Sequence, residues 1–146
     1  MRNSLVRFAL STCTAASLLL AGAYARAETV EYKADLKGSS EVPANDTKGT
    51  GMVDAKYDTS TMKLSWTVTY SGLTGPATAA HFHGPAKEGV NAGPIITLTA
   101  PLTSPMKGEQ TLTKAQADEL ASGMWYLNVH TAQHAPGEIR GQLMKK

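Results

Sequence analysis

Met62-Lys63-Leu64-Ser65-Trp66-Thr67-Val68-Thr69-Tyr70 is the stretch that decides the fold. Met62, Leu64, Trp66, Val68 and Tyr70 alternate with Lys63, Ser65, Thr67 and Thr69. Successive side chains of a strand point to opposite faces, so this period of two predicts a half-buried antiparallel strand. Upstream, Val53, Ala55 and Tyr57 repeat the pattern, and Asp58-Thr59-Ser60-Thr61 reads as the hairpin turn between the two. Val30, Tyr32, Ala34 and Leu36 repeat it again, ahead of a Gly38-Ser39-Ser40 turn. Further strands are expected at residues 77–83, 95–98, 124–130 and 138–143. About seven short strands separated by Gly- and Pro-containing turns predict an all-β domain, a single antiparallel sandwich or barrel. One segment departs from the pattern. Thr113 and Gln116 form a capping-box pair, the alanines and Leu120 favour helix, and Gly123 suits its end. Residues 113–122 therefore read as one short helix, placed as a plug over an open barrel end.

The N-terminus reads differently from the rest. Arg2 and Arg7 precede an apolar stretch from Phe8 to Ala23, and Ala25-Arg26-Ala27 supplies small residues before Glu28. This is the three-part layout of a secretory signal peptide, so residues 1–27 are expected to be removed and residues 28–146 to form the exported domain, in the periplasm or outside the cell. Three of the 14 basic residues (Arg2, Arg7 and Arg26) and none of the 12 acidic ones lie in that segment, leaving 11 against 12 and a net charge of −1. That balance gives no basic patch for nucleic acid. No membrane span is read after Glu28. The only cysteine, Cys13, also goes, which excludes a disulfide scaffold.

All four histidines fall in two short stretches, His81-Phe82-His83 and His130 with His134. On a strand, His81 and His83 project to the same side, with bases about 6–7 Å apart at about 3.3 Å rise per residue. His130 ends another expected strand and His134 follows it in a loop, so three or four imidazole donors can converge, a set that suits copper or zinc. The competing reading is that the histidines only pack and hydrogen-bond. Glu138, Arg140 and Gln142 share one strand face, read either as a structural charge pair or a solvated face, or with Arg140 drawing an anion towards the histidines. Met106, Met124 and Met144 are read as core fillers rather than ligands for Cu(I). There is no nucleophile-elbow motif for a serine hydrolase.

Glu41-Val42-Pro43, the run Thr69-Tyr70-Ser71-Gly72-Leu73, Ala80-His81-Phe82-His83-Gly84-Pro85-Ala86, Asn128-Val129-His130-Thr131 and Pro136-Gly137-Glu138-Ile139-Arg140-Gly141-Gln142 together resemble the CHRD domain, over about residues 29–143. The resemblance implies a β-rich domain and leaves the activity open. Shorter motifs are similar to copper–zinc superoxide dismutase, a Greek-key barrel in which a strand His-x-His and a later histidine bind copper. The fold expected is a single antiparallel Greek-key sandwich or barrel, superoxide dismutase-like or immunoglobulin-like, with one short helix. The similarity makes His81, His83 and His130 copper ligands, His134 a possible fourth, and Arg140 a counterpart of the arginine beside the copper. Ala92-Gly93-Pro94 is followed here by Ile95 rather than a bridging histidine, and no zinc site is recognised. Three functions stand: a copper-binding exported protein, an interaction or homodimerisation module without metal, and a copper-only dismutase-like enzyme.

Overall fold

The structure, a computed structural model, describes residues 28–146; the segment read as a signal peptide lies outside the described residues. Strands β1 (Thr29–Lys37), β2 (Thr50–Asp58) and β3 (Lys63–Ser71) form a meander in the expected places. Its register pairs Tyr32 with Ala55, Ala34 with Val53, Ala55 with Trp66 and Val53 with Val68, which puts the apolar alternation of all three strands on one face. The β2–β3 turn closes because the Asp58 carboxylate accepts from the N–H of Ser60 and Thr61 and from the Ser60 hydroxyl. Such side-chain bonds replace the backbone partners that a turn lacks.

The remaining strands are β4 (Ala77–His83), β5 (Pro94–Thr97), β6 (Met106–Thr111), β7 (Tyr126–Thr131), β8 (Ile139–Gln142) and β9 (Met144–Lys145). All nine join one antiparallel sheet in the order β5-β4-β7-β8-β1-β2-β3-β6, with β9 against β1. The non-sequential neighbours β4–β7, β8–β1 and β3–β6 are the crossing connections of Greek-key character, not of a simple meander. Four strands lie between β4 and β3 in this order. At about 4.8 Å per strand, a flat sheet would hold them about 24 Å apart. The ring of Trp66 on β3 nevertheless meets that of Phe82 on β4 edge to face, 5.1 Å between centroids. The sheet is therefore curled on itself around a core that includes Leu36, Leu64, Trp66, Phe82, Trp125, Leu127 and Ile139.

Strand β6 was not expected from the sequence. Only Met106 of Met-Lys-Gly-Glu-Gln-Thr is buried, because β6 is an edge strand paired to β3 alone. Gly108 lies under the Trp66 indole, where a Cβ would come within 2.6 Å of Cζ2. Met106 fills the core as expected, whereas Met144 is 58% exposed and does not.

Helix α1 (Lys114–Ala121) forms where the capping box places it: the Thr113 hydroxyl accepts from the Gln116 N–H and the Gln116 side chain accepts from the Thr113 N–H. Leu120 anchors it in the core, and Trp125 Nε1 donates to Glu119. Thr113→Ala should lower stability by about 1 kcal/mol, seen as a drop of about 3–6 °C in the unfolding midpoint. An unchanged midpoint would show that the helix is held by Leu120 alone.

Candidate metal centre

The site is built by two neighbouring strands. On β4, Ala80 and Phe82 are buried in the core, so His81 and His83 stand on the outer face of the sheet. On β7, Leu127 and Val129 are buried in the core, and Tyr126, Asn128 and His130 take the outer face. The register sets His83 opposite Tyr126, His81 opposite Asn128 and Ala79 opposite His130. Three imidazoles from two strands thus share one patch.

His81 Nδ1 lies 3.0 Å from His130 Nε2. One ligand nitrogen from each of His81, His83 and His130 falls within 4.8 Å of the others, the only such group of metal-ligand side chains among the described residues. Two nitrogens on one first-row ion, at about 2.0 Å from it, are about 2.9 Å apart at right angles and about 4 Å apart when opposed. A pair at the full 4.8 Å therefore needs to close by about 1 Å to hold an ion as opposed ligands and by about 1.5–2 Å as tetrahedral or right-angled ones. Outer contacts fix two of the rings: His130 Nδ1 bonds the Ala135 carbonyl at 2.9 Å and His83 Nδ1 the Ala92 carbonyl at 2.9 Å. For His130 that bond sets the tautomer that leaves Nε2 for a metal; the neutral His83 ring has one N–H to share between the acceptors Ala92 O and Asn128 Oδ1, and donating it to Ala92 frees Nε2. Burial, with the neighbouring His130 and His83, pushes His81 below the ordinary histidine range. Burial also lowers His83, with the charges of His130 and Arg140 adding to it, despite the opposing pull of the acceptors Ala92 O and Asn128 Oδ1. Both rings are thereby favoured in the neutral form that binds metals.

His83 is buried while His81 and His130 are half-buried, so the patch is covered on one side. The cover is the connection between β4 and β5, residues 84–93. Its Ala92 bonds both His83 and the Tyr126 hydroxyl, and Gln142 Nε2 donates to Ala86 O. The Tyr126 ring stacks on His83 at 4.7 Å, nearly parallel, and the Arg140 guanidinium lies 3.4 Å from the Tyr126 ring centre. Because β4 and β8 flank β7, Tyr126 is sandwiched between the two.

The structure corrects the reading of Glu138 and Arg140 as a structural charge pair or a solvated face. Both are buried and they form no ion pair with each other. Arg140 donates to Asn91 Oδ1 at 2.7 Å and to Val90 O at 2.6 Å, which clamps the covering loop. Its charge sits behind Tyr126 rather than facing the histidines directly. Glu138 accepts from three threonines and is a structural tie. His134 is not among the converging histidines; its backbone N–H bonds Thr131 in the loop after β7.

Two residues of the site escaped sequence reasoning. Asn128, 3% exposed, presents Oδ1 to His83 Nε2 at 2.9 Å. Glu41, 6% exposed, lies beside Asn128 against Gly137 and leaves Oε1 without a hydrogen-bond partner among the described residues. Burial raises the Glu41 carboxyl, partly offset by the charge of Arg140 and the Asn128 side chain. Their only signal in the sequence is position: Asn128 is two residues from His130 on the same strand face.

Fold and site define a class: a curled antiparallel β domain carrying a histidine cluster on its outer face under a clamped loop. The chain belongs to the CHRD domain family, whose sequence profile matches residues 32–143. No curated protein and no solved structure matches it.

Proposed function

We propose that this is an exported protein that binds one copper ion through His81, His83 and His130, in storage, delivery or protection. The observation that carries the reading is the 3.0 Å approach of His81 Nδ1 to His130 Nε2 inside a three-histidine cluster. One ligand nitrogen from each of the three rings lies within reach of a single ion, which packing alone does not require. Copper is favoured because divalent copper heads the affinity order for nitrogen donors, and imidazole suits it. Residues 28–146 contain no cysteine to favour a thiolate site. The charge of Arg140, one ring behind His83, favours an anion near the bound ion.

Calorimetric Cu(II) titration of the metal-free protein, with electron paramagnetic resonance, tests the reading. One equivalent with nitrogen hyperfine structure is expected, and His81→Ala/His83→Ala should weaken it at least about 100-fold, since each lost ligand removes a large part of the coordination energy. Uptake unchanged in the double variant would place copper elsewhere and end the proposal. Processing is tested separately: the exported protein should begin at Glu28 by N-terminal sequencing.

A further inference from the structure

The three histidines leave a four-donor site one ligand short, and the loop histidine expected to complete it, His134, is not in the cluster. A different side chain stands in the right place. Asn128 lies directly opposite His81 in the register, one position before His130 on the same face and diagonal to His83. Its Oδ1 is 2.9 Å from His83 Nε2, while His81 Nδ1 is 3.0 Å from His130 Nε2. Adjacent donors at about 2.0 Å from one ion are separated by about 2.8–3.3 Å for right-angled to tetrahedral geometry. Both spacings fall in that range. Two donor pairs thus already stand at ligand spacing without the ion, and a metal on His83 Nε2 would replace its proton, leaving the ring's N–H to Ala92 O.

The carboxamide is also held with its oxygen forward. Asn128 Nδ2 points away from the histidines, at 3.5 Å from the Pro136 carbonyl, and the Glu41 carboxylate lies on the same side, both groups crowding Gly137. Gly137, with φ of +140°, allows this approach: a Cβ there would come within 2.7 Å of Asn128 Nδ2 and closer still to Glu41 Oε1. A flip of this carboxamide would lose the bond to Pro136 and set its oxygen against a carbonyl and a carboxyl group.

We infer that the side-chain oxygen of Asn128 is the fourth metal donor, completing a site of three imidazole nitrogens and one oxygen for a divalent first-row ion, with Glu41 as the positioning residue that aims it. The inference rests on the copper reading above and assigns it a ligand set. Cu(II) is the probe, titrated into the wild type, Asn128→Leu, Glu41→Gln and His134→Ala, with affinity from calorimetry, the coordination signature from electron paramagnetic resonance, and folding from circular dichroism without metal. Asn128→Leu should bind about 10- to 100-fold more weakly with an altered parallel copper hyperfine coupling. Glu41→Gln keeps all four donors but can present an N–H to the Asn128 side chain and so let its oxygen turn away from the histidines, and should also weaken binding about 10-fold, in the range known for outer-shell partners. His134→Ala should match the wild type in both readouts. If Asn128→Leu fails to fold, Glu41→Gln and His134→Ala carry the test. Wild-type affinity and spectrum in a folded Asn128→Leu or in Glu41→Gln, or loss of binding in His134→Ala, would overturn the assignment while leaving the three-histidine site standing. A wild type that takes up no copper would overturn both.

Discussion

Replacing Glu138 with alanine is expected to destabilise the domain by about 3–5 kcal/mol, a large part of the ~5–15 kcal/mol that holds a domain of this size. Its carboxylate has no exposed surface and accepts four hydrogen bonds. Thr47 Oγ1 and the Thr74 N–H reach Oε1 at 2.6 and 2.8 Å; Thr74 Oγ1 and Thr131 Oγ1 reach Oε2 at 2.7 and 2.6 Å. These partners lie in the segment before β2, the connection from β3 to β4, and the end of β7, so one side chain ties three parts of the chain together. Bonds to a charged acceptor are the strong ones, and removing it strands the buried donors. Glu138→Gln keeps the shape and lets the hydroxyls reorient, so it should cost only about 1–2 kcal/mol.

The same carboxylate makes stability depend on acid. Burial would raise its pKa, but the hydroxyls of Thr131, Thr47 and Thr74 and the Thr74 N–H outweigh it and hold the group at about 2, against 4.5 for an ordinary glutamate. The folded state therefore binds this proton less readily than the unfolded state. Its stabilisation is fully present above about pH 4.5 and is lost as the pH falls through that value towards 2. A direct conversion gives an upper figure of about 3 kcal/mol. Urea unfolding at several pH values measures it: the wild type should lose stability between pH 5 and 2 more steeply than Glu138→Gln. Parallel curves would show that other carboxylates govern acid unfolding.

Arg140→Ala should have the second large effect, about 3–4 kcal/mol, with consequences at the metal centre. It removes the cation stacked on Tyr126, leaves Asn91 Oδ1 and Val90 O without their donors, and takes away the positive charge that offsets burial of Glu41. The covering loop should open, and amide exchange in residues 84–93 should quicken at least about 10-fold as local opening becomes easier. Arg140→Lys should not rescue it, because an ammonium lacks the planar fork and the stacking surface. Full recovery of protection in Arg140→Lys would mean that charge, not the clamp, is what the loop needs.

The alternation in residues 62–70, repeated in 53–57 and 30–36, is enough by itself to place these strands and set the all-β class, because a strand side chain has only two faces to choose from. Thr113 and Gln116 likewise determine the start of the helix, since a capping box is satisfied by residues three apart. The pairing of His81 with His83 is legible for the same local reason. Edge strand β6 is not, because an edge strand with one buried residue carries no alternation to read. Nor is the burial of Glu138 and Arg140, whose charge is tolerated only through partners distant in sequence: Thr47 and Thr74 for one, Tyr126 and Asn91 for the other. Which histidine joins the first two is decided by the register of β4 against β7, which brings in His130 and Asn128 and leaves His134 outside. Local periodicity fixes which way a side chain points; what it meets there depends on contacts between strands about 50 residues apart in the chain, made only when the sheet has paired and curled.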